Sequence, residues 1–278
     1  MAVEIIVIGN EILLGDVLDT NSHWLCKQLV GLGALVRRVT QIGDERETIA
    51  DTLSAALRRG AGLVVTVGGL GPTEDDLTLS SVAQALGRPL AEHSQARRWV
   101  EAKYAELARA GHVASAEMTP ARLKMAHLPQ GAEPLRNDVG AAPGVLLRGE
   151  GWVIVCLPGV PEEMKHIVHN ALRPTLSELF GQGYYAEWQV RADIGDESTL
   201  APLLQQVAAK HPEVYIKSRA RRYGADVRFT ITLSTRGRSA QEVSARLAAA
   251  WEYLYERLAG EGIGSTLVEA DDVTGMGR

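Results

Sequence analysis

The fold class is decided by residues 63–76, which read LVVTVGGLGPTEDD. The first five residues are almost all apolar, which is typical of a strand covered by helices on both faces of a parallel sheet. A glycine-rich loop follows, and residues 78–86 then have the pattern of a helix that ends at Gly87. A buried strand, a glycine loop and a helix in this order predict an α/β fold with a ligand site at the carboxyl end of the strand.

The residues before this stretch alternate between strand and helix patterns. The predicted strands are residues 4–8 and 34–42, and the predicted helices are residues 21–30 and 45–59. In the second helix Ile49, Leu53 and Leu57 are spaced by four residues and share one face. Followed by the strand at residues 63–67, this order predicts a mostly parallel sheet with right-handed crossovers.

The remaining chain divides near residue 180, where the pattern changes. Before this point we predict a helix (92–110), a structured loop (131–144), a hairpin (145–147 with 152–157) and a helix from residue 162. After it we predict strand (187–193), helix (197–210), two strands (214–218 and 226–234) and helix (241–258). The predicted organisation is a phosphate-ligand α/β domain over residues 1–180, a small α+β domain over 181–260 and a loosely ordered tail over 261–278.

Composition restricts the classes of function. The formal net charge of −5 argues against a protein that mainly coats nucleic acid, because that role needs a broad cationic surface. Cys26 and Cys156 lie among apolar residues and predict buried, reduced thiols. The first residues do not have the pattern of a signal peptide, and no apolar run approaches the roughly 18 residues of a membrane span. We expect a soluble, cytoplasmic protein with no membrane partner.

Three polar segments follow the three predicted strands of the first domain. Asn10 and Glu11 follow the first strand, Asp44 follows the second, and the glycine loop follows the third. Because the carboxyl ends of parallel strands meet at one edge of the sheet, we expect these segments to converge. The convergence is stronger evidence for a site than any one segment alone.

The glycine loop has the chemistry of a phosphate cradle. Gly68, Gly69 and Gly71 let the backbone approach an anion closely, and Thr73 adds a hydroxyl donor. Amides that lead into the next helix can donate to phosphate oxygens. The alternative is a tight strand-to-helix turn in which the glycines serve packing alone.

The loop ends in three consecutive acids, which include Asp75 and Asp76. Carboxylates beside a phosphate repel it unless a cation lies between them, and Mg²⁺ takes such oxygen ligands. We therefore predict a metal held by Asp76 and Glu11, with Asp44, Asp75 and Asp76 as candidate catalytic residues. The alternative is that the acids interact with the positive end of the following helix.

Several further polar and glycine positions complete the predicted ligand site. They are Asp19, Asn21, Asn137, Gly140, Gly144, Pro158 and Gly159. Asp19 and Asn21 also fit helix capping, and Pro158 and Gly159 belong to another strand-to-helix turn.

The second domain contains a basic segment mixed with aromatic residues. Its cations are Lys217, Arg219, Arg221, Arg222 and Arg228. This mixture suits single-stranded nucleic acid, but an exposed hairpin edge protected by charge explains it as well. The turn lacks a GxxG clamp, so we expect no nucleic-acid partner.

Motifs along nearly the whole chain resemble the competence/damage-inducible CinA family. They are Gly9–Gly15 (GNEILLG), Asp19–Ser22 (DTNS), Gly43-Asp44, the loop of residues 68–76 with Leu77-Thr78, Ala142-Pro143-Gly144 and Leu157–Met164 (LPGVPEEM). The resemblance implies a MogA/MoeA-like molybdopterin-binding fold followed by a small KH-like domain. It implies that Asp44 and Asp76 line the ligand site and that the glycine loop holds phosphate. Asn10 departs from the wider superfamily, where Asp is common, which weakens a metal-binding role for this position.

The resemblance also implies an activity. Some CinA-like proteins hydrolyse ADP-ribose to AMP and ribose 5-phosphate with a divalent metal, so we expect a Mg or Co type ion, with K⁺ as a further candidate. Many members carry a C-terminal deamidase domain for nicotinamide mononucleotide, and we expect none here. The expected partner is a phosphorylated, nucleotide-like small molecule bound by a homodimer. The alternatives are a molybdopterin-binding or cofactor-assembly protein and a non-catalytic module for competence or DNA damage.

Overall fold

A computed structural model describes residues 1–181, 183–220, 229–270 and 274–275. The chain forms two compact units. The first comprises Met1–Val30 and Ala34–Leu179, and the second comprises Gly31–Gly33 and Phe180–Arg278.

The helices and strands up to residue 180 follow the predicted alternation. In chain order they are β1 (Ala2–Ile8), α1 (Asn10–Leu13), α2 (Thr20–Gly31), β2 (Leu35–Ile42), α3 (Arg46–Arg58), β3 (Leu63–Val67), α4 (Thr78–Ala85), β4 (Leu90–Glu92), α5 (Ser94–Arg109), α6 (Pro120–Lys124), β5 (His127–Pro129), β6 (Glu133–Leu135), β7 (Gly144–Gly149), β8 (Trp152–Leu157), α7 (Pro161–Asn170) and α8 (Arg173–Phe180). The prediction that residues 131–144 form a loop was wrong in part, because β6 lies within this range and pairs with β7.

The main sheet has the strand order β2-β1-β3-β8-β7-β6. The pairs β1–β2, β1–β3 and β3–β8 are parallel, whereas β7–β8 and β6–β7 are antiparallel. The mostly parallel α/β sheet is therefore confirmed. Four strand ends, those of β2, β1, β3 and β8, lie side by side at one edge, which is where ligands bind in such sheets.

The central strands and the helices beside them form the core of the first unit. All five residues of β3 are buried, as their apolar run predicts. In α3, Ile49 and Leu53 are fully buried and Leu57 packs partly against the same core, as the four-residue spacing requires. Cys156 is buried and free, and burial raises the pKa of its thiol to about 12.

The described residues of the second unit form an antiparallel sheet with two helices. Its elements are β9 (Tyr184–Ala192), α9 (Glu197–Lys210), β10 (Tyr215–Ala220), β11 (Phe229–Gly237), α10 (Ala240–Gly260), β12 (Ser265–Ala270) and β13 (Thr274–Gly275). The prediction of a loosely ordered tail was wrong for β12, because it pairs with β9 and Leu267 packs on the core. A KH-like identity for this unit stays a prediction.

None of the helices among the described residues combines the length and the apolar content that a bilayer span requires.

Candidate functional site

A cavity of about 620 Å³ lies at the carboxyl ends of four adjacent strands of the main sheet. It is lined by Gly9 after β1, Asp44 after β2, the glycine loop after β3, and Pro158 and Gly159 after β8. The three segments expected to converge therefore do converge. The volume of the cavity is in the usual range for a small-molecule site.

The first two glycines of the loop are required by the fold itself. Gly68 has φ of 107°, and a Cβ there would lie 2.1 Å from the carbonyl oxygen of Ile8. Gly69 has φ of 65°, and its Cβ would lie 2.4 Å from Thr78 Oγ1. The Thr78 hydroxyl donates to the Gly68 carbonyl oxygen at 2.8 Å and is fully buried. These contacts explain both glycines as a close-packed turn, with or without a ligand.

The loop amides beside this turn have no protein partner. The N–H groups of Gly69, Leu70 and Gly71 donate no hydrogen bond within the part of the chain that the structure describes, and all three residues line the cavity. By contrast, the Gly68 amide donates to the Leu157 carbonyl oxygen at 2.9 Å. Unpaired amides in a concave loop are donors that an anion can satisfy.

Gly71 and Thr73 position the carboxylate of Asp76. Asp76 Oδ2 accepts hydrogen bonds from the Thr73 amide at 2.8 Å and from the Thr73 hydroxyl. A Cβ at Gly71 would lie 2.6 Å from this oxygen. The Thr73 hydroxyl, which the sequence assigned to the ligand, thus donates to Asp76, and Thr73 does not line the cavity.

Five carboxylates line the cavity: Glu11, Asp44, Asp75, Asp76 and Glu163. Burial raises the pKa of Asp44 above its ordinary value, and the charges of Glu11, Asp75 and Asp76 raise it further. A hydrogen bond from the Asn10 amide to Asp44 Oδ2, at 2.8 Å, opposes this shift. Asn10 Oδ1 in turn accepts from the Asp44 amide at 3.3 Å, so Asn10 joins two strand ends and does not itself line the cavity.

The donor set fits a cation that is shared with a ligand. In the described residues no three His, Cys, Asp or Glu side chains are close enough to enclose a metal by themselves. One or two carboxylates with phosphate oxygens and water are the usual ligands of Mg²⁺. Asp76 and Glu11 are therefore suitable for such a shared ion.

Asp19 and Asn21 have structural contacts outside the cavity lining. Asp19 caps α2, because its Oδ1 accepts from the Ser22 amide at 2.9 Å. The Asn21 side chain donates to the Gly159 carbonyl oxygen at 2.7 Å and so fixes a cavity-lining turn. Asn21 Oδ1 is buried, and no described residue donates a hydrogen bond to it.

Asn137, Gly140 and Gly144 also lie behind the cavity wall. Asn137 Nδ2 donates to the Ala142 carbonyl oxygen at 2.8 Å and to Glu163 Oε2 at 2.6 Å. Gly144 is buried in β7, where a Cβ would lie 3.3 Å from the Cys156 carbonyl oxygen. Their roles are to shape the wall.

The sequence reasoning did not assign Glu163, Tyr104 and Met125 to the site, although all three line the cavity. Glu163 lies in the first turn of α7 and within the LPGVPEEM motif, for which only Pro158 and Gly159 were predicted to contact the ligand. Its position directly after the turn that contains Pro158 and Gly159 was the available signal. Tyr104 and Met125 come from α5 and the end of α6, and no local pattern marks them.

The basic segment belongs to the second unit. Lys217 and Arg219 are exposed on β10, which is an edge strand of the sheet formed by the described residues. Arg221, Arg222 and Arg228 lie outside the described residues. Charged residues on an edge strand hinder other chains from pairing with it, which agrees with the alternative given for this segment.

Comparisons with known proteins give the family. The family model described as "Probable molybdopterin binding domain" matches residues 4–178. A protein of Aeropyrum pernix is 44% identical over 214 residues, with 77% of each chain covered. A protein of Pyrococcus abyssi is 41% identical over 210 residues, covering 76% of this chain and 82% of its own.

A solved structure supports the same assignment. The crystal structure of CinA from Thermoplasma acidophilum is 34% identical, has a TM-score of 0.57, and covers 63% of this chain and 99% of its own. The chain therefore belongs to the probable molybdopterin binding domain family, as a CinA-like member.

Proposed function

We propose that the first unit binds a phosphorylated, molybdopterin-type ligand together with a divalent cation in the cavity at the strand ends. The observation that carries this proposal is the combination, in one cavity, of five carboxylates with loop amides that donate no hydrogen bond to any described residue. No lysine or arginine of the described residues lines that cavity. A phosphate therefore needs both the amides and a cation to balance the acids. The family match supports a molybdopterin-type ligand.

The residues have separate roles in this proposal. The amides of Gly69, Leu70 and Gly71 donate to phosphate oxygens, and Asp76, held by Thr73, binds the cation with Glu11. A bound Mg or Co type ion supplies positive charge that neutralises the phosphate oxygens. Asn10 keeps Asp44 at the cavity through their two hydrogen bonds. The homodimer and a role for K⁺ stay predictions.

A second candidate function is the hydrolysis of ADP-ribose to AMP and ribose 5-phosphate. The observation that favours it is Asp44, whose pKa is raised and whose Oδ1 accepts no hydrogen bond from the described residues. In this reaction a water oxygen forms a bond to one phosphorus and the P–O–P bridge breaks. Asp44 takes the proton of the attacking water, as a carboxylate with a raised pKa does in general base catalysis.

The proposal is tested by calorimetric titration of inorganic pyrophosphate into the full chain with Mg²⁺ present. Asp76→Asn should weaken binding about 10-fold or more, because it removes a charged ligand of the cation. The matched control is Glu74→Gln, since Glu74 is exposed and does not line the cavity. Equal affinities of the native chain and Asp76→Asn would refute the cation site. Release of AMP from ADP-ribose, only with a divalent metal, would establish the second candidate.

A further inference from the structure

The carboxylate of Glu163 is held at the cavity by residues that leave it little freedom. Its Oε2 accepts from Asn137 Nδ2 at 2.6 Å. A Cβ at Gly140 would lie 2.0 Å from the same oxygen, so a side chain at that position would displace the carboxylate. Asn137 Oδ1 accepts from the Gly140 amide at 3.0 Å. Two residues outside the cavity lining thus fix the position of one acid inside it.

Burying the Glu163 carboxylate is unfavourable, and an interaction with the positive end of α7 does not explain why it is buried. Burial raises the pKa of this carboxyl group, although the Asn137 hydrogen bond and the charge of Lys103 oppose the shift. Glu162 lies in the same first turn of α7 and is exposed, so it can interact with the positive helix end without that cost. Glu163 Oε1 accepts no hydrogen bond from the described residues. This oxygen remains available to a ligand.

We propose that Glu163 selects the heterocycle of the ligand by accepting hydrogen bonds from a ring N–H and from an amino group beside it. This inference rests on the proposed molybdopterin-type ligand in the same cavity and stands against ADP-ribose, the second candidate, because its base is adenine. An ionised carboxylate accepts hydrogen bonds and cannot donate them. Pterin and guanine present two adjacent donors at one edge, which match two carboxylate oxygens. Adenine presents an amino donor beside an unprotonated ring nitrogen. The lone pair of this nitrogen and the carboxylate are both acceptors, so they repel each other.

The cavity that Glu163 lines also has apolar walls that suit a flat ring. Tyr104, Met125 and Ala142 line the same cavity and offer mainly apolar surface. Small-molecule sites commonly combine such apolar walls with a few polar groups that set orientation. In the proposed complex the loop amides bind the phosphate, and Glu163 accepts hydrogen bonds from the heterocycle.

The test compares GMP, IMP and AMP by calorimetric titration of the full chain with Mg²⁺. These nucleotides carry the same phosphate and sugar, so differences in affinity report on the base alone. GMP should bind roughly 10- to 100-fold more tightly than AMP, because AMP cannot supply both donors to a charged acceptor. IMP, which has the ring N–H without the amino group, should fall between them.

Glu163→Gln keeps the shape of the side chain but replaces one acceptor by a donor. The preference for GMP over AMP should then disappear or reverse, because an amide matches the adenine edge. Glu162→Gln is the matched control and should keep the native preference. Pyrophosphate has no base, so its binding to the native chain and to Glu162→Gln reports on the phosphate subsite alone and should be equal.

The outcomes separate the inference from the proposed function. Equal affinities for GMP and AMP in the native chain, or a preference retained by Glu163→Gln, would contradict the role of Glu163. Intact pyrophosphate binding in the same experiment would leave the proposed function standing. Absence of pyrophosphate binding to the native chain would overturn both.

Discussion

Single glycines decide how close the strand ends of the first unit approach each other. The backbone at Gly68 runs directly over the end of β1, and only the missing side chain permits the contact with Ile8. Gly71, by contrast, lies against the Asp76 carboxylate, a group that can move. A substitution at Gly68 should therefore lower the stability of the fold, whereas a substitution at Gly71 should displace the Asp76 carboxylate in the site.

Gly68→Ala is expected to lower the free energy of unfolding by about 1–2 kcal/mol through its positive φ and by about 1–3 kcal/mol more through the clash with Ile8. Gly87→Ala is the matched control, because Gly87 has φ of 61° and a Cβ added there would meet no other atom within 4 Å. Urea unfolding measures the free energy of unfolding of both variants. The loss in Gly87→Ala reports the positive φ alone, and the additional loss in Gly68→Ala reports the clash with Ile8. Equal losses would show that the loop relaxes away from Ile8.

At the scale of elements, β1 carries an ion pair whose acid is buried and whose base, Arg59, is 38% exposed. Glu4 on this central strand is 4% exposed, and Arg59 contacts both of its carboxylate oxygens, at 2.9 and 2.6 Å. The Arg59 hydrogen bond lowers the pKa of Glu4, burial opposes the shift, and the charges of Arg59 and Arg38 lower the pKa further. The folded state thus favours the ionised form of Glu4.

The pair makes stability depend on pH. Because the folded pKa of Glu4 lies below its ordinary value of 4.5, the stabilisation is present above pH 4.5 and is lost as the pH falls through the folded pKa. Glu4→Gln should cost roughly 1–2 kcal/mol at pH 7 and less at low pH. Unfolding titrations across this range measure the effect. Glu106→Gln is the control, because the Glu106 carboxylate is 61% exposed beside Lys103, and it should cost less than about 0.5 kcal/mol. A loss of stability in Glu4→Gln that does not change with pH would contradict the assignment.

The elements differ in how well the sequence predicts them. The apolar run of β3 and the four-residue spacing in α3 identify these elements. A strand buried on both faces is apolar throughout, and a helix buried on one face has apolar residues at regular spacing, so both patterns are visible in the local sequence. The strand β12 has no such pattern, since it depends on a free edge of β9 that no local sequence reveals. The same holds within the site. Asp44 and Asp76 lie in the segments that connect a strand to the next helix, whereas Tyr104 reaches the cavity only through tertiary packing.

At the scale of the whole molecule, each unit has its own hydrophobic core. Leu53 and Val64 belong to the core of the first unit, and Val190 and Leu247 belong to that of the second. Every described residue that lines the cavity lies in the first unit. Ligand binding and any role of the basic strand β10 should therefore be separable.

Replacing Lys217 and Arg219 by Ser should leave pyrophosphate affinity unchanged within about twofold, because both side chains are exposed in the second unit. We also expect no tight binding of single-stranded oligonucleotides at physiological salt, given the net charge of −5. Fluorescence titrations at several salt concentrations check this expectation. Tight, salt-sensitive binding that the double variant loses would show instead that β10 contacts nucleic acid.

The most direct measurement is the affinity of the full chain for pyrophosphate with Mg²⁺ and, separately, with a chelator. The cavity offers five carboxylates together with loop amides that have no hydrogen-bond partner among the described residues, so the anion should bind only when a cation accompanies it. The expected result is measurable binding with Mg²⁺ that falls at least about 10-fold in the chelator. Equal affinity under both conditions would contradict the shared-cation site.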